Sequence, residues 1–410
     1  MSCSTPAMPR LNVLWAALFR TTETLARELA DPTNRAPAWS DFEWRMAQAA
    51  AAIHGISPIL ASSLRWRGPE SWATFLNEQR AHVASRHSRI ADLLALINGR
   101  ARCEGIELIA LKGAALHGMG IYRAGDRPMG DVDLLVRPAS LEAAARLLAA
   151  LGYEQCGVNW KHRIFLPAGA HAPAPLGENG RNAIKIELHC RLVEHLPLSE
   201  VDISELIFSL HPSPGLSYYR SRACLMIHLL QHAAGAMSAR ALRVIHLHDI
   251  ALLAPRLTAV DWEELTRQSA DDRSLWWALP PLTLTARYYP DAIPPRALEA
   301  IRPSCSRMLA RISRRATISD VSFSYPWVDA LPALGWSASV RESLSYILSR
   351  VRPPDWRTSE IRYTAETESW ATENNWYQLS QFRRVLRWTV SRPCRVQTMY
   401  AVRAALARPL

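Results

Sequence analysis

Asp131 and Asp133 open the run Asp131-Val132-Asp133-Leu134-Leu135-Val136, whose remaining residues are all apolar. A strand sends successive side chains to opposite faces, so this spacing predicts both carboxylates on one face and Val132, Leu134 and Val136 in a core. One or two carboxylates acting together with substrate phosphates are the donor set that holds Mg²⁺. Upstream, the mostly apolar run Ile106 to Leu111 ends in Lys112-Gly113, ahead of a helix-like segment. A strand, a small residue and a helix N-terminus in that order leave backbone N–H groups facing a place where an anion can sit. Lys112 adds a compact ammonium, which serves a phosphate as a point charge.

The arrangement is Leu111-Lys112-Gly113, then Tyr122, then Arg127-Pro128-Met129-Gly130-Asp131-Val132-Asp133, then a helix and Gly152-Tyr153. It resembles the uncharacterised bacterial nucleotidyltransferase family of the DNA-polymerase-β-like nucleotidyltransferase superfamily. The likeness is densest over Leu108 to Leu192, with weaker echoes at Ala52 to Leu64 and His228 to Leu253. It implies a third carboxylate from a later strand. Alternation in Ala183 to Cys190 turns Ile184, Ile186 and Leu188 toward a core and Lys185, Glu187 and His189 to the other face, so Glu187 takes that position.

What the resemblance implies is an enzyme that moves a nucleoside monophosphate from a nucleoside triphosphate such as ATP to an acceptor, releasing pyrophosphate. Asp131, Asp133 and Glu187 are then the catalytic and metal-holding set for Mg²⁺ or Mn²⁺, and Lys112, Gly113, Arg127 and Lys185 are the nucleotide-binding candidates. The chain departs from the superfamily in two ways. It has Lys112-Gly113 where Gly-Ser or Gly-Gly is usual, and a longer separation between that turn and Asp131.

Several neighbours carry two readings. Arg127 can neutralise phosphate charge, or it can pair with Asp126 or Asp131 as a prop. His189, on the Glu187 face, is a candidate base on the acceptor side, and Asp249 is either near the acceptor pocket or an orienting partner; a strand histidine can equally be satisfied locally. His228 and His232 lie four apart, and His246 and His248 follow. Such spacing can build a zinc site, but the segment lacks the Glu of a metalloprotease motif, and structural hydrogen bonding is the favoured reading. Gly118-Met119-Gly120 lacks a third glycine and follows the helix instead of opening it, which excludes a dinucleotide fingerprint.

The elements that must hold these residues follow from periodicity. Residues 1–100 read as a helical region without a chemical constellation of its own, and residues 101–195 as the nucleotidyltransferase core. Residues 196–410 read as a second helical domain. The core runs strand, helix, strand, helix, then strands, with a helix over Leu141 to Leu151 capped by Ser140 and stopped by Gly152. Strands are expected over Tyr153 to Trp160, Arg163 to Pro167 and Ala183 to Cys190, with a loop from Ala168 to Arg181. The fold class is therefore α+β, a small mixed sheet with helices on one side, flanked by helical domains. Helical pattern is expected from Leu192 to the end, with Trp276, Trp277, Trp327, Trp336 and Trp356 in its core or interfaces.

The chain has 410 residues, a net charge of +11 and nearly half its residues apolar, which excludes wholesale disorder. Of its 48 basic residues only Lys112, Lys161 and Lys185 are lysines, and all three fall in the core. From Trp376 onward seven arginines occur without an acid, a basic tail of the kind that is usually a solvated face. The uncharged stretches Met46 to Leu64 and Ala223 to Ala239 contain Gly, Pro, His and Gln, and read as buried helices, not membrane spans. Seven scattered cysteines without a C-x-x-C suit a reducing cytoplasm.

Two other classes fit part of the pattern. A D-x-D glycosyltransferase using a sugar nucleotide explains the aspartates but leaves Lys112-Gly113 and Glu187 without a task. A non-catalytic basic module for RNA or an acidic protein explains the charge but not the retained acids. The acceptor, a small molecule, peptide or protein, has no signature in the chain.

Overall fold

A computed structural model describes residues 8–169, 176–196, 199–267, 275–323, 335–337, 339–353, 355, 358, 379–390 and 396–408. The expectations at Trp327 and Trp356, the cysteines Cys3 and Cys394, and part of the 168–181 loop and of the basic tail lie outside the described residues. The molecule is mixed α+β and mainly helical.

Four helices come first: α1 (Leu11–Ala30), α2 (Asp41–Ile53), α3 (Ser57–Ser63) and α4 (Glu70–Cys103). Ser40 and Glu43 form a capping box at the start of α2, each satisfying a backbone N–H at that helix end. The 34-residue α4 is held by one long stripe, Trp72, Phe75, Leu76, Val83, Ile90, Leu93, Ile97 and Ala101, all buried at three- and four-residue spacing.

The sheet begins with β1 (Glu107–Ala110), α5 (Lys112–Gly118), β2 (Asp131–Leu135) and α6 (Leu141–Ala150). It continues through β3 (Tyr153–Val158), β4 (His162–Pro167) and β5 (Lys185–His189). Next come the hairpin β6 (Val193–Leu196) and β7 (Ser199–Asp202), the short helix α7 (Ser204–Ile207), and β8 (Gly215–Ser217). The six-stranded order is β3-β4-β5-β2-β1-β8. Strands β2 and β5 run parallel, in the register Asp131↔Lys185, Asp133↔Glu187 and Leu135↔His189.

Side-chain alternation then divides the faces. Leu108, Ala110, Val132, Leu134, Ile186 and Leu188 pack with Ile90 and Ile97 of α4 and Leu147 and Leu148 of α6. The other face carries the charged residues of β2 and β5, while Ile109, Leu111 and Leu135 join a larger apolar cluster that includes Leu18, Trp72, Leu225 and Leu282. Helices α8 (Arg222–Ser238) and α9 (Val244–Leu253) belong to that cluster, and further helices follow.

Two expectations are corrected. The helical pattern does not resume directly after Leu192, because β6, β7 and β8 intervene and β8 pairs in parallel with β1. Strands of three or four residues are too short to show a period. Ser140 makes no side-chain cap; it lies in a 3₁₀ turn, Pro138–Ser140, that leads into α6. Gly152 does terminate α6, at φ 84°. Cys103, Cys156, Cys190, Cys224 and Cys305 are free thiols. Among the described residues no helix is long and apolar enough to cross a membrane.

Candidate active site

The parallel pairing of β2 with β5 puts Asp131 beside Lys185 and Asp133 beside Glu187 on one sheet face. Three acids and a cation therefore meet because two strands alternate in phase. Lys185 Nζ lies 2.7 Å from Glu187 Oε1 and 3.3 Å from Asp131 Oδ2. Lys112 Nζ lies 3.1 Å from Asp133 Oδ1, and His189 Nε2 donates to the same oxygen at 3.0 Å. The sequence-predicted residues Asp131, Asp133, Glu187, Lys112, Lys185 and His189 thus form one cluster.

Environment separates the acids. Burial works to raise the Asp133 pKa, but Lys112 and His189 outweigh it and hold the carboxyl well below its ordinary range. Glu187 is pushed up to about 7, first by burial and then by Asp131, against the pull of Lys185. Burial also opposes the Lys112 ammonium, yet Asp133, Asp131 and Glu187 more than compensate, so its pKa is raised. His189 is lowered by burial, opposed by Asp133.

The turn that carries Lys112 is strained and braced. Lys112 has φ 42°, the left-handed region that a side chain with a Cβ enters at a cost of roughly 1 kcal/mol. Its N–H donates to Tyr219 Oη at 3.1 Å, and the Tyr219 hydroxyl lies 2.6 Å from His228 Nδ1. Gly113 is required by crowding. A Cβ there would come within 2.3 Å of Arg127 Nη1 and 2.9 Å of Met129 Cγ.

Arg127 pairs with neither Asp126 nor Asp131. Its Nε and Nη2 donate to the two oxygens of Asp249 at 2.8 and 2.7 Å, and Tyr122 Oη donates to Asp249 Oδ1 at 2.7 Å. Asp126 instead faces Arg80 at 3.4 Å. Asp249 is 1% exposed and stands behind Arg127, which it orients toward the Lys112-Gly113 turn.

Part of this cluster borders a cavity of about 610 Å³, which Lys185 and His189 do not line. Lys112, Gly113, Asp131, Asp133 and Glu187 line its sheet wall; α9 contributes His246 and Asp249, and Arg243 precedes them. The α2–α3 corner at Ser57 and Pro58, and Thr398 and Tyr400 of the C-terminal helix Val396–Ala407, close the rest. That volume lies in the range of small-ligand pockets.

Sequence reasoning missed Arg86, Arg243, Tyr219 and His162. Arg86, 2% exposed, donates to the carbonyls of Met129, Gly130, Asn182 and Ala183, tying together the entrances of β2 and β5. Its signal was an arginine on the apolar stripe of α4. Arg243 is exposed to the cavity, and among the described residues no carboxylate lies within 4.0 Å of it. The clustered histidines have local partners: His228 bonds Tyr219, His248 lies 3.0 Å from Tyr289 Oη, and the rings of His232 and His246 lie 4.8 Å apart.

The cluster fits a divalent cation by the chemistry of its donors. Three carboxylates share one face, and the Lys185 ammonium sits between Asp131 and Glu187 as a positive charge would. No curated protein and no solved structure matches the chain. A family model described as "Uncharacterised nucleotidyltransferase" matches residues 40–290. That span takes in the acid-bearing strands and also α2, α8 and α9 across the cavity. The acids, the cations and most of the wall facing them, though not Thr398 and Tyr400, lie in a match longer than half the chain, and the protein belongs to the uncharacterised nucleotidyltransferase family.

Proposed function

We propose that this protein is a metal-dependent nucleotidyltransferase of the DNA-polymerase-β-like type. It moves a nucleoside monophosphate from a nucleoside triphosphate to an acceptor oxygen, with release of pyrophosphate. The observation that carries the reading is the Asp133↔Glu187 and Asp131↔Lys185 register, which sets three carboxylates together at the wall of a ligand-sized cavity that Lys112 also lines. Family membership favours nucleotidyl over glycosyl transfer, and the free thiols suit a cytoplasmic setting.

Asp131, Asp133 and Glu187 would hold the cation. When bound, Mg²⁺ or Mn²⁺ supplies charge neutralisation for the phosphates and polarises the reacting oxygens. The remaining work belongs to side chains. Lys112, on its braced turn, and Arg243, facing the same space, bind the phosphate chain. Arg127, fixed by Asp249, keeps the floor of the turn in place. In the transfer a bond forms between the acceptor oxygen and the α-phosphorus as the bond to the bridging oxygen breaks. Pyrophosphate leaves with that electron pair, and the acceptor's proton passes to water, since His189 Nε2 already donates to Asp133. Asp249 has both oxygens engaged, so its part is positioning.

The test presents purified protein with each nucleoside triphosphate and Mg²⁺ or Mn²⁺. Pyrophosphate release is followed, together with nucleotide-sized mass additions to the protein, peptides, small alcohols and RNA. Asp131→Ala and Asp133→Ala should abolish both signals. Full activity in Asp131→Ala, or nucleoside diphosphate as the product, would overturn the reading.

A further inference from the structure

Beside the aspartate pair, β4 and β5 build a second donor set. Their antiparallel register places His162 opposite His189 and Ile164 opposite Glu187, so both imidazoles and the carboxylate stand on one face. His162 Nε2 lies 3.4 Å and His189 Nε2 3.8 Å from Glu187 Oε2, and the three donor atoms fall within 4.8 Å of one another. Donors bound about 2.1 Å from one tetrahedral ion sit about 3.4 Å apart. The spacing is therefore close to that of a ligand set. The side chains are only 10%, 12% and 7% exposed for His162, Glu187 and His189.

The hydrogen bonds fix which nitrogen of His162 faces Glu187 and what it carries. Asn159 Oδ1 accepts the backbone N–H groups of Lys161 and His162, both at 2.8 Å, which turns the Asn159 amide nitrogen toward His162 Nε2 at 2.9 Å. An amide nitrogen only donates, so Nε2 bears a lone pair and the proton is on Nδ1. Nδ1 is buried and has no hydrogen-bond partner. The Nε2 lone pair and Glu187 Oε2 thus face each other across 3.4 Å. A nitrogen lone pair and a carboxyl oxygen at that distance are two donors that one cation can share once Glu187 gives up its proton, and the Asn159 amide hydrogen-bonds that lone pair here.

We infer that His162, Glu187 and His189 form a site for a first-row transition ion of the Zn²⁺, Fe²⁺ or Co²⁺ class, selected over Mg²⁺. Imidazole nitrogens favour these ions, while a hard Mg²⁺ prefers oxygen and water. To join, His189 shifts its proton to Nδ1, and Asp133 Oδ1, now 3.0 Å from His189 Nε2, is placed as a further oxygen donor. The inference deepens the transferase reading, on which its catalytic meaning rests, by giving the Glu187 side of the cluster a softer ion than the Asp131 side.

The test is a Co²⁺ titration of metal-free protein without nucleotide, followed by visible absorption and proton NMR in water. The expected result is two paramagnetically shifted, solvent-exchangeable imidazole N–H signals that survive a large excess of Mg²⁺. His162→Gln should remove one of them and weaken Co²⁺ binding, while Asp131→Ala should keep both. The wild-type spectrum decides even if a variant folds poorly. Absence of shifted imidazole signals, or displacement of Co²⁺ by equimolar Mg²⁺, would overturn the site. Co²⁺ bound in this way by a protein that releases no pyrophosphate with any triphosphate supports the site, and the transferase reading alone would then fall.

Discussion

Asp133 and Glu187 are register partners on parallel strands, and their surroundings drive the two carboxyl groups in opposite directions. Lys112 and His189 favour the charged form of Asp133, while burial and the neighbouring Asp131 favour the neutral form of Glu187.

Glu187 therefore makes the metal-free protein sensitive to pH. Below pH 4.5 folded and unfolded chains both hold its proton; between 4.5 and about 7 only the folded chain does; above that neither does. Stability should fall as pH rises through this window, by roughly 3 kcal/mol at most for that shift. Urea denaturation of wild type and Glu187→Gln in the presence of a chelator measures it. The wild-type slope should be the more negative, and equal slopes would refute the assignment.

Gly113→Ala should be destabilising by about 1–3 kcal/mol, because its Cβ would meet Arg127 Nη1, which Asp249 holds from behind. The midpoint of urea unfolding reads the cost. Triphosphate binding, followed by calorimetry, should weaken in the same variant.

Arg127 and Asp249 form a bidentate pair in which the acid is 1% exposed. Removing either partner leaves the other charge buried alone, and Asp249→Ala should cost about 3–5 kcal/mol. Arg127→Met with Asp249→Leu should cost less than the two single changes together. A double-mutant cycle on unfolding free energies gives the answer; strict additivity would mean the pair is not coupled.

Arg86→Lys should fail to replace Arg86, since one ammonium cannot reach the four carbonyls that the guanidinium serves. A loss of about 2–4 kcal/mol is expected from the stranded acceptors. Amide hydrogen exchange should rise first in β2 and β5.

Much of the site could be read from alternation. Both Asp131-Val132-Asp133 and Lys185-Ile186-Glu187 alternate cleanly, and period two is enough to say which side chains share a face. Strands β3, β4 and β5 were legible too, and Gly152 marked the end of α6, while β6, β7 and β8 were not foreseen. What alternation cannot carry is a partner far along the chain. Arg127 meets Asp249 across 122 positions, and Arg86 reaches the carbonyls of Asn182 and Ala183 across 96 and 97. No local pattern encodes those distances. His162 was passed over because the expected strand began at Arg163, and its meaning lies in the strand beside it.

The Arg86 clamp on the entrances of β2 and β5 and the Tyr219 brace on the Lys112 turn both come from outside residues 101–195, one from α4 and the other from the stretch between β8 and α8. An excised piece with those boundaries would surrender both supports and expose the bare edge of β1 that β8 now covers. Its autonomy would be lost at three points at once, and supplying the missing helices in trans would have to restore all three before the strands regained their alignment.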